Sequence, residues 1–333
     1  MLRVGISGFG AVGRRALRIA EGRSDLQVVA INGPGASATM AHLFKYDSNY
    51  GVFPGEVLSD DDHLYVSGRS IRAFHEREPA RIDWRGVGVD LVLEASGRFN
   101  DPELAKGHLE GGAGHVVLAA PAKGNPAPTF VLGVNEDDFN PQQHKVVSMG
   151  SCTTNCLLPV MKVLDQSFGV AEGMMTTVHS YTSDQNLLDK SHKDLRRARA
   201  AAMNIIPTST GAAKAVGAVW PEVGKSFHGL ALRVPTPVVS VIDLVVHLRK
   251  PSSAKELNTA FRAAAEGPMQ GILAYTEDPV VSSDLRGDTH SAIVDGLLTA
   301  AVGELGKVVA WYDNEWGYAT RLVDFAGYIA KRV

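Results

Sequence analysis

The chain holds only two cysteines, both inside one hexapeptide, Ser151-Cys152-Thr153-Thr154-Asn155-Cys156. A thiol is a good nucleophile only as its thiolate, and several features here suit one. The apolar spacing predicts a helix over 155–164, so Cys152 stands just before a helix N-terminus, whose positive dipole end stabilises an anion. Ser151, Thr153 and Thr154 keep its surroundings polar and can donate hydrogen bonds. A base is still required, and histidine is the usual one near neutral pH. Of eleven histidines, His179 closes the strand-like run MMTTVH and opens the polar stretch SYTSDQNLLDKSHKD. Taken singly, a cysteine is equally well explained by a core and a histidine by a surface. Cys156, one helical turn after Cys152, reads as an inert core thiol. The two cysteines lack partners at ligand spacing, so no metal site is expected.

A second motif opens the chain. GFGAVG sets Gly8, Gly10 and Gly13 around Phe9, Ala11 and Val12 in a Gly-x-Gly-x-x-Gly pattern, directly after a predicted strand and at the start of a predicted helix. The first glycine permits a tight turn, the second lets the backbone approach a pyrophosphate, and the third lets helix and strand pack closely. Such a site normally has a carboxylate about twenty residues on, accepting hydrogen bonds from a ribose 2′-hydroxyl. Here the second strand runs into Asn32-Gly33-Pro34-Gly35. Gly33 is either a plain loop glycine or the mark of a cofactor carrying a 2′-phosphate, which a carboxylate would repel.

The elements that must hold these residues follow from the hydrophobic pattern. Strands are expected over 2–7, 26–32, 89–94, 115–119, 129–134 and 145–149, with a helix over 12–21. This alternation predicts an α/β chain whose N-terminal half is a doubly wound, mostly parallel sheet of Rossmann type. Beyond Cys156, longer strands at 174–179, 229–234, 239–247 and 307–313 with helices at 255–266 and 318–331 predict an α+β region around an antiparallel or mixed sheet. A chain of 333 residues, 45% hydrophobic and 21% charged, has the length for about two domains. Its net charge of −3, without basic blocks, argues against nucleic acid or an anionic membrane as partner. No apolar run approaches a membrane span or a secretory leader, and the cysteine count suits a reducing cytoplasm.

From end to end the chain resembles phosphorylating glyceraldehyde-3-phosphate dehydrogenases, on GFGAVGR, HLFKYDS, SCTTNC, NIIPTSTGAAKAVG, RVPTPVVSVIDL and WYDNEWGY. The resemblance implies that Cys152 is the nucleophile, that His179 is its base, and that a thiohemiacetal and then a thioester form on the sulfur. It implies a substrate-phosphate site at Thr182, Asp184, Arg197 and Arg233, and an attacking-phosphate site at Ser151, Thr153, Thr210 and Gly211. For the cofactor, NADP and/or NAD, it implies the glycine-rich turn (Gly8, Phe9, Gly10, Ala11, Val12) with Gly33, Arg77, Ser96, Gly97, Ala119, Asn314 and Tyr318. Lys190 and Ser191 would reach a neighbouring subunit's cofactor and, with Gly33, favour acceptance of NADP. A homotetramer is implied, with a dinucleotide-binding domain over 1–151 plus 315–333 and a catalytic domain over 152–314. The chain departs from the family pattern at Ser7, Ala11, Ala119 and in Met149-Gly150, where an asparagine beside the nucleophile is lost. Erythrose-4-phosphate dehydrogenase shares the Cys–His pair, and THSAIVDG and NDPELAKGHL lend that reading some colour. PTSTGAAKAVG keeps the attacking-phosphate residues and favours the phosphorylating enzyme. Against a third reading, a catalytically weak nucleotide-binding paralogue, stand the intact Cys152, His179, Thr182, Arg197 and Arg233.

Overall fold

The computed structural model describes residues 1–333, which separate into two units. The first comprises Met1–Phe130, Glu136–Gly150 and Ala319–Val333, and the second Val131–Asn135 and Ser151–Tyr318.

In the first unit the β-branched runs become β1 (Leu2–Ser7) and β2 (Leu26–Asn32), joined by α1 (Ala11–Ala20). Both strands are buried along most of their length, as strands covered on two faces must be. Helix α2 (Ser37–Lys45) leads to a short pair, β3 (Tyr46–Asp47) and β4 (Gly51–Val52). A meander follows, of β5 (Val57–Ser59), β6 (His63–Val66) and β7 (Arg69–Phe74), which the hydrophobic pattern did not reveal. Then come β8 (Leu91–Glu94), α3 (Pro102–Ala105), α4 (Gly107–Glu110), β9 (His115–Leu118) and β10 (Val146–Ser148). The sheet order is β10-β9-β8-β1-β2-β7-β6-β5, parallel from β10 through β7 and antiparallel beyond. The winding reverses between β1 and β8, and sheets of this kind take ligands beyond the carboxyl ends of the strands at such a switch point.

One expected strand is absent. Residues 129–134 make only a single bridge, Thr129 to Ser148, and then turn. The Val131 N–H is taken by Asn135 Oδ1 at 2.8 Å, the Val134 N–H by the Val131 carbonyl at 3.0 Å, and Gly133 has φ of +81°. Phe130, Val131 and Leu132 are buried, so their apolar character serves packing rather than a ladder.

The second unit opens with α5 (Cys152–Phe168) and β11 (Val170–Ser180). After a long loop come β12 (Ile206–Ser209), α6 (Ala212–Val219), α7 (Pro221–Gly224), β13 (Phe227–Val234), β14 (Ser240–Leu248) and α8 (Ala254–Glu266). The strands β15 (Leu273–Thr276), β16 (Ala292–Asp295), β17 (Ala300–Val302) and β18 (Leu305–Tyr312) complete it. Their sheet runs β12-β13-β11-β14-β18-β16-β15, with β17 beside β18, and it is mixed: β11 with β13 and β15 with β16 are parallel, the rest antiparallel. Burial alternates strictly along β14, and its inward residues Ile242, Leu244, Val246 and Leu248 join Leu157, Leu164, Val216 and Phe261 of the helices in one core. The last helix, α9 (Trp316–Ala330), begins in the second unit and ends in the first.

Candidate active site

Helix α5 starts three residues earlier than the apolar spacing indicated, because Ser151 caps it: its Oγ accepts the Thr154 N–H at 3.1 Å. Cys152 is therefore the first residue of a 17-residue helix, where the dipole argument applies at full strength. His179 lies near the end of β11 on the face that carries the buried Met175 and Thr177, the face turned to the helices. These two placements bring Cys152 Sγ within 3.4 Å of His179 Nε2. The parallel register of β11 and β13 sets Arg233 directly opposite His179. Its Nη1 lies 3.0 Å from His179 Nδ1 and donates to the Ser180 carbonyl at 2.9 Å and to Thr182 Oγ1 at 3.4 Å. Arg233 Nε has no partner.

The electrostatics follow from burial. His179 is 3% exposed, and desolvation, reinforced by the Arg233 guanidinium, pushes it down to about 3. Burial pushes the Cys152 thiol up, while Arg233 and hydrogen bonds from Thr153 oppose the rise. At neutral pH the pair is thus a neutral thiol facing a neutral imidazole. Imidazole Nδ1 lies 2.7 Å from the Ser180 carbonyl, which can only accept, and 3.0 Å from an arginine, which can only donate. Either tautomer therefore finds a partner, so Nε2 can meet the sulfur with its lone pair or with its proton.

Around this pair the other expected residues are distributed unevenly. Arg197 is bound to Asp184 and reaches Thr208 Oγ1 at 2.9 Å and Asp194 at 3.7 Å, so it is held within an acidic cluster. Thr153 Oγ1 is buried against Tyr312 OH at 2.8 Å, and Thr177 holds the same hydroxyl at 2.8 Å. Thr210 accepts the Ala212 N–H at 3.2 Å at the head of α6, where exposed Gly211 has open space beyond its Cα. Asn314 Oδ1 accepts from Ser240 Oγ at 3.0 Å, and Ser240 also takes the Ser180 N–H, so the strand end that carries His179 is tied to Asn314. Tyr318 is buried. Lys190 and Ser191 lie exposed in the long loop after β11. Tyr312, Ser240 and Asp194 went unnoticed in the sequence, since only strand register and loop packing bring them here.

In the first unit a cleft of about 320 Å³ runs past the glycine-rich turn, lined among others by Ser7, Gly8, Phe9, Gly10, Gly33, Arg77 and Ser96. Gly8 has φ of +97°, and a Cβ there would strike Ser96 N at 2.2 Å; a Cβ on Gly13 would strike the Gly8 carbonyl at 2.2 Å. Gly10, by contrast, faces nothing within 4 Å and heads α1 without a side-chain cap. Ser7 Oγ is buried at the cleft and has no partner. Uncapped helix N–H groups, an open glycine and an orphan hydroxyl fit a dinucleotide pyrophosphate. Ala11 and Val12 open α1, and Gly97 and Ala119 follow β8 and β9; none of the four lines the cleft. Asn32, Glu76 and Arg98, also unnoticed in the sequence, do line it.

Residues 2–102 match the NAD binding domain of glyceraldehyde 3-phosphate dehydrogenase, and residues 151–314 match the C-terminal domain of the same family. The chain is 52% identical to a glyceraldehyde-3-phosphate dehydrogenase of Geobacillus stearothermophilus over 99% of each chain. It is 49% identical to glyceraldehyde-3-phosphate dehydrogenase 2 of Bacillus subtilis over 100% of this chain and 98% of that one. With the chloroplastic glyceraldehyde-3-phosphate dehydrogenase A of Chlamydomonas reinhardtii it shares 51% identity over 99% of this chain and 89% of the other.

Proposed function

Because the chain belongs to the glyceraldehyde 3-phosphate dehydrogenase family, we propose that it oxidises glyceraldehyde 3-phosphate and captures inorganic phosphate, giving 1,3-bisphosphoglycerate reversibly. The observation that carries this reading is the 3.4 Å approach of Cys152 Sγ to His179 Nε2 at the head of α5. His179 takes the thiol proton through Nε2 as the sulfur adds to the aldehyde, and the Cys152 N–H at the helix start steadies the oxygen of the thiohemiacetal. His179 gives that proton to the adduct's oxygen, and the same nitrogen, free again, then accepts the hydroxyl proton as the adduct is oxidised. A nicotinamide cofactor, when bound, would supply the hydride acceptor that oxidation of the adduct to a thioester requires. Attack by phosphate, held at Ser151, Thr153, Thr210 and Gly211, breaks the C–S bond and returns the thiolate. Arg233, with an unpartnered Nε, and Arg197 suit the substrate phosphate, Thr182 and Asp184 orienting them.

A dinucleotide-binding domain is assigned to 1–151 with the C-terminal stretch 315–333, and catalysis to 152–314. Gly33 offers no carboxylate to repel a 2′-phosphate, and exposed Arg77 on the same cleft offers a positive charge, so NADP is accepted alongside NAD. The exposed apolar side chains Met174, Met203, Ile205 and Leu230 of the second unit suit a homotetramer, and two free thiols suit a reducing cytoplasm. No helix is long and apolar enough to cross a membrane. Purified protein given glyceraldehyde 3-phosphate and either nicotinamide is expected to reduce the cofactor only when phosphate is present. Phosphate-independent reduction of the cofactor with erythrose 4-phosphate would overturn the assignment.

A further inference from the structure

The Ser96 turn rests on a buried carboxylate for which the chemistry above has no use. Glu94, at the end of β8, is 0% exposed, as are His108 and Trp84. Glu94 Oε1 accepts the Ser96 N–H at 2.8 Å and also binds the Ser96 hydroxyl. Its Oε2 lies 2.9 Å from His108 Nε2, and Trp84 Nε1 lies 3.0 Å from His108 Nδ1. An indole N–H only donates, so His108 Nδ1 accepts and its proton is fixed on Nε2, aimed at Glu94. Trp84 is locked in turn: a Cβ on Gly5 would meet its ring at 2.7 Å, and Val29, Ile82, Val92 and Ala113 share its cluster. Three donors therefore converge on one buried carboxylate, the condition under which such a group is tolerated.

What Glu94 grips is a wall of the dinucleotide turn, since Ser96 N stands where a Cβ on Gly8 would fall. Backbone contact that close transmits a shift of Ser96 straight to Gly8. We propose that Glu94, steered by His108 and Trp84, is a positioning residue for the dinucleotide: it holds Ser96 against Gly8 so that the cleft is set before the cofactor arrives. This rests on the cofactor reading given above.

Binding of NAD and NADP to the full-length protein, measured by titration calorimetry, is the test. Glu94→Gln keeps the shape but turns an N–H toward either Ser96 or His108, donor against donor. It is expected to raise the cofactor Kd by at least about tenfold, with KM for the cofactor rising and kcat at saturation falling less. His108→Gln retains an N–H for Glu94 and is expected to lose only about threefold. Should Glu94→Gln fail to fold, Trp84→Phe carries the test: it removes the donor that fixes the His108 tautomer together with some buried ring volume, and the Kd, read beside the melting temperature, is expected to rise by about threefold or more. Variants that melt at a lower temperature yet bind with the native Kd would make the network purely structural and overturn the proposal. A native protein that binds neither nicotinamide would overturn the cofactor reading itself, a separate result.

Discussion

His108 and His179 are both buried, both present Nε2 to an acidic group, and both have Nδ1 engaged, yet they are built for opposite ends. Trp84 allows His108 one tautomer only, and Glu94 is saturated by donors. His179 is offered an acceptor and a donor at the same nitrogen, and its thiol partner is half-buried rather than sealed. A histidine with every valence committed holds its surroundings still. One offered both an acceptor and a donor at the same nitrogen is able to pass a proton. Burial is common to both, so on the roles proposed for them it is the partners at Nδ1 that would distinguish a brace from a base.

The contrast breaks most sharply at the sulfur. Cys152→Ser is expected to lower turnover by on the order of 10⁴-fold or more while cofactor binding stays near native, because a hydroxyl is a poor nucleophile at neutral pH and a poor acyl leaving group. Near-normal turnover would remove Cys152 from the chemistry.

His179→Asn is expected to cost on the order of 10²–10⁴-fold in kcat and to slow alkylation of Cys152 at neutral pH. It also has a signature in stability. The unfolded chain protonates this histidine below its ordinary value of 6.5, whereas the fold keeps it neutral down to about 3. Between those limits the unfolded state binds more protons, so the contribution is whole above 6.5 and is lost as pH falls toward 3. Urea melts of the native protein and of His179→Asn across this window are expected to converge at the acid end; parallel curves would refute the burial argument.

A smaller effect is expected at the other unit's cleft. Gly33 does not have a left-handed backbone, and the one tight approach a Cβ there would make is to the flexible end of Met40 at 3.2 Å, with Phe9 Cβ at an ordinary 3.5 Å, so an aspartate fits. Gly33→Asp is expected to lower kcat/KM for NADP by at least about tenfold while sparing NAD. An unchanged ratio would leave Gly33 as a plain turn residue. The smallest change belongs to the second thiol. Cys156 is sealed in the core with only a distant contact to the Ala310 carbonyl, at 3.9 Å. Cys156→Ser is expected to keep activity within about twofold and to cost about 1 kcal/mol in a thermal melt, the usual size for a buried hydroxyl.

Local signals were legible from the residues alone. Leu2–Ser7 and Leu26–Asn32 form where β-branched runs placed them, the glycine-rich turn sits between strand and helix, and the fold class is the one expected. What escaped was set by partners distant in sequence. The stretch 129–134 looked like a strand because apolar residues cluster there, but an asparagine side chain captures the N–H a ladder would need. The start of α5 was hidden by two threonines and revealed only by the Ser151 cap. Arg233 meets His179 through strand register across 54 residues, and Glu94 meets His108, and His108 Trp84, through folds of the chain that periodicity does not encode.

Helix α9 has a consequence for how the protein is made. Phe325 packs on Phe130 and Phe139 with ring centroids 5.9 and 5.7 Å apart, Tyr328 OH donates to the Glu136 carbonyl at 2.8 Å, and Asp324 pairs with Arg23. The first unit therefore lacks part of its own core until residues 319–333 have left the ribosome, whereas the second is nearly continuous from Ser151 to Tyr318. Synthesis runs from the N-terminus, so the half translated first is the half completed last. A chain truncated after Tyr318 is expected to resist protease in the second unit and to be cut in the first.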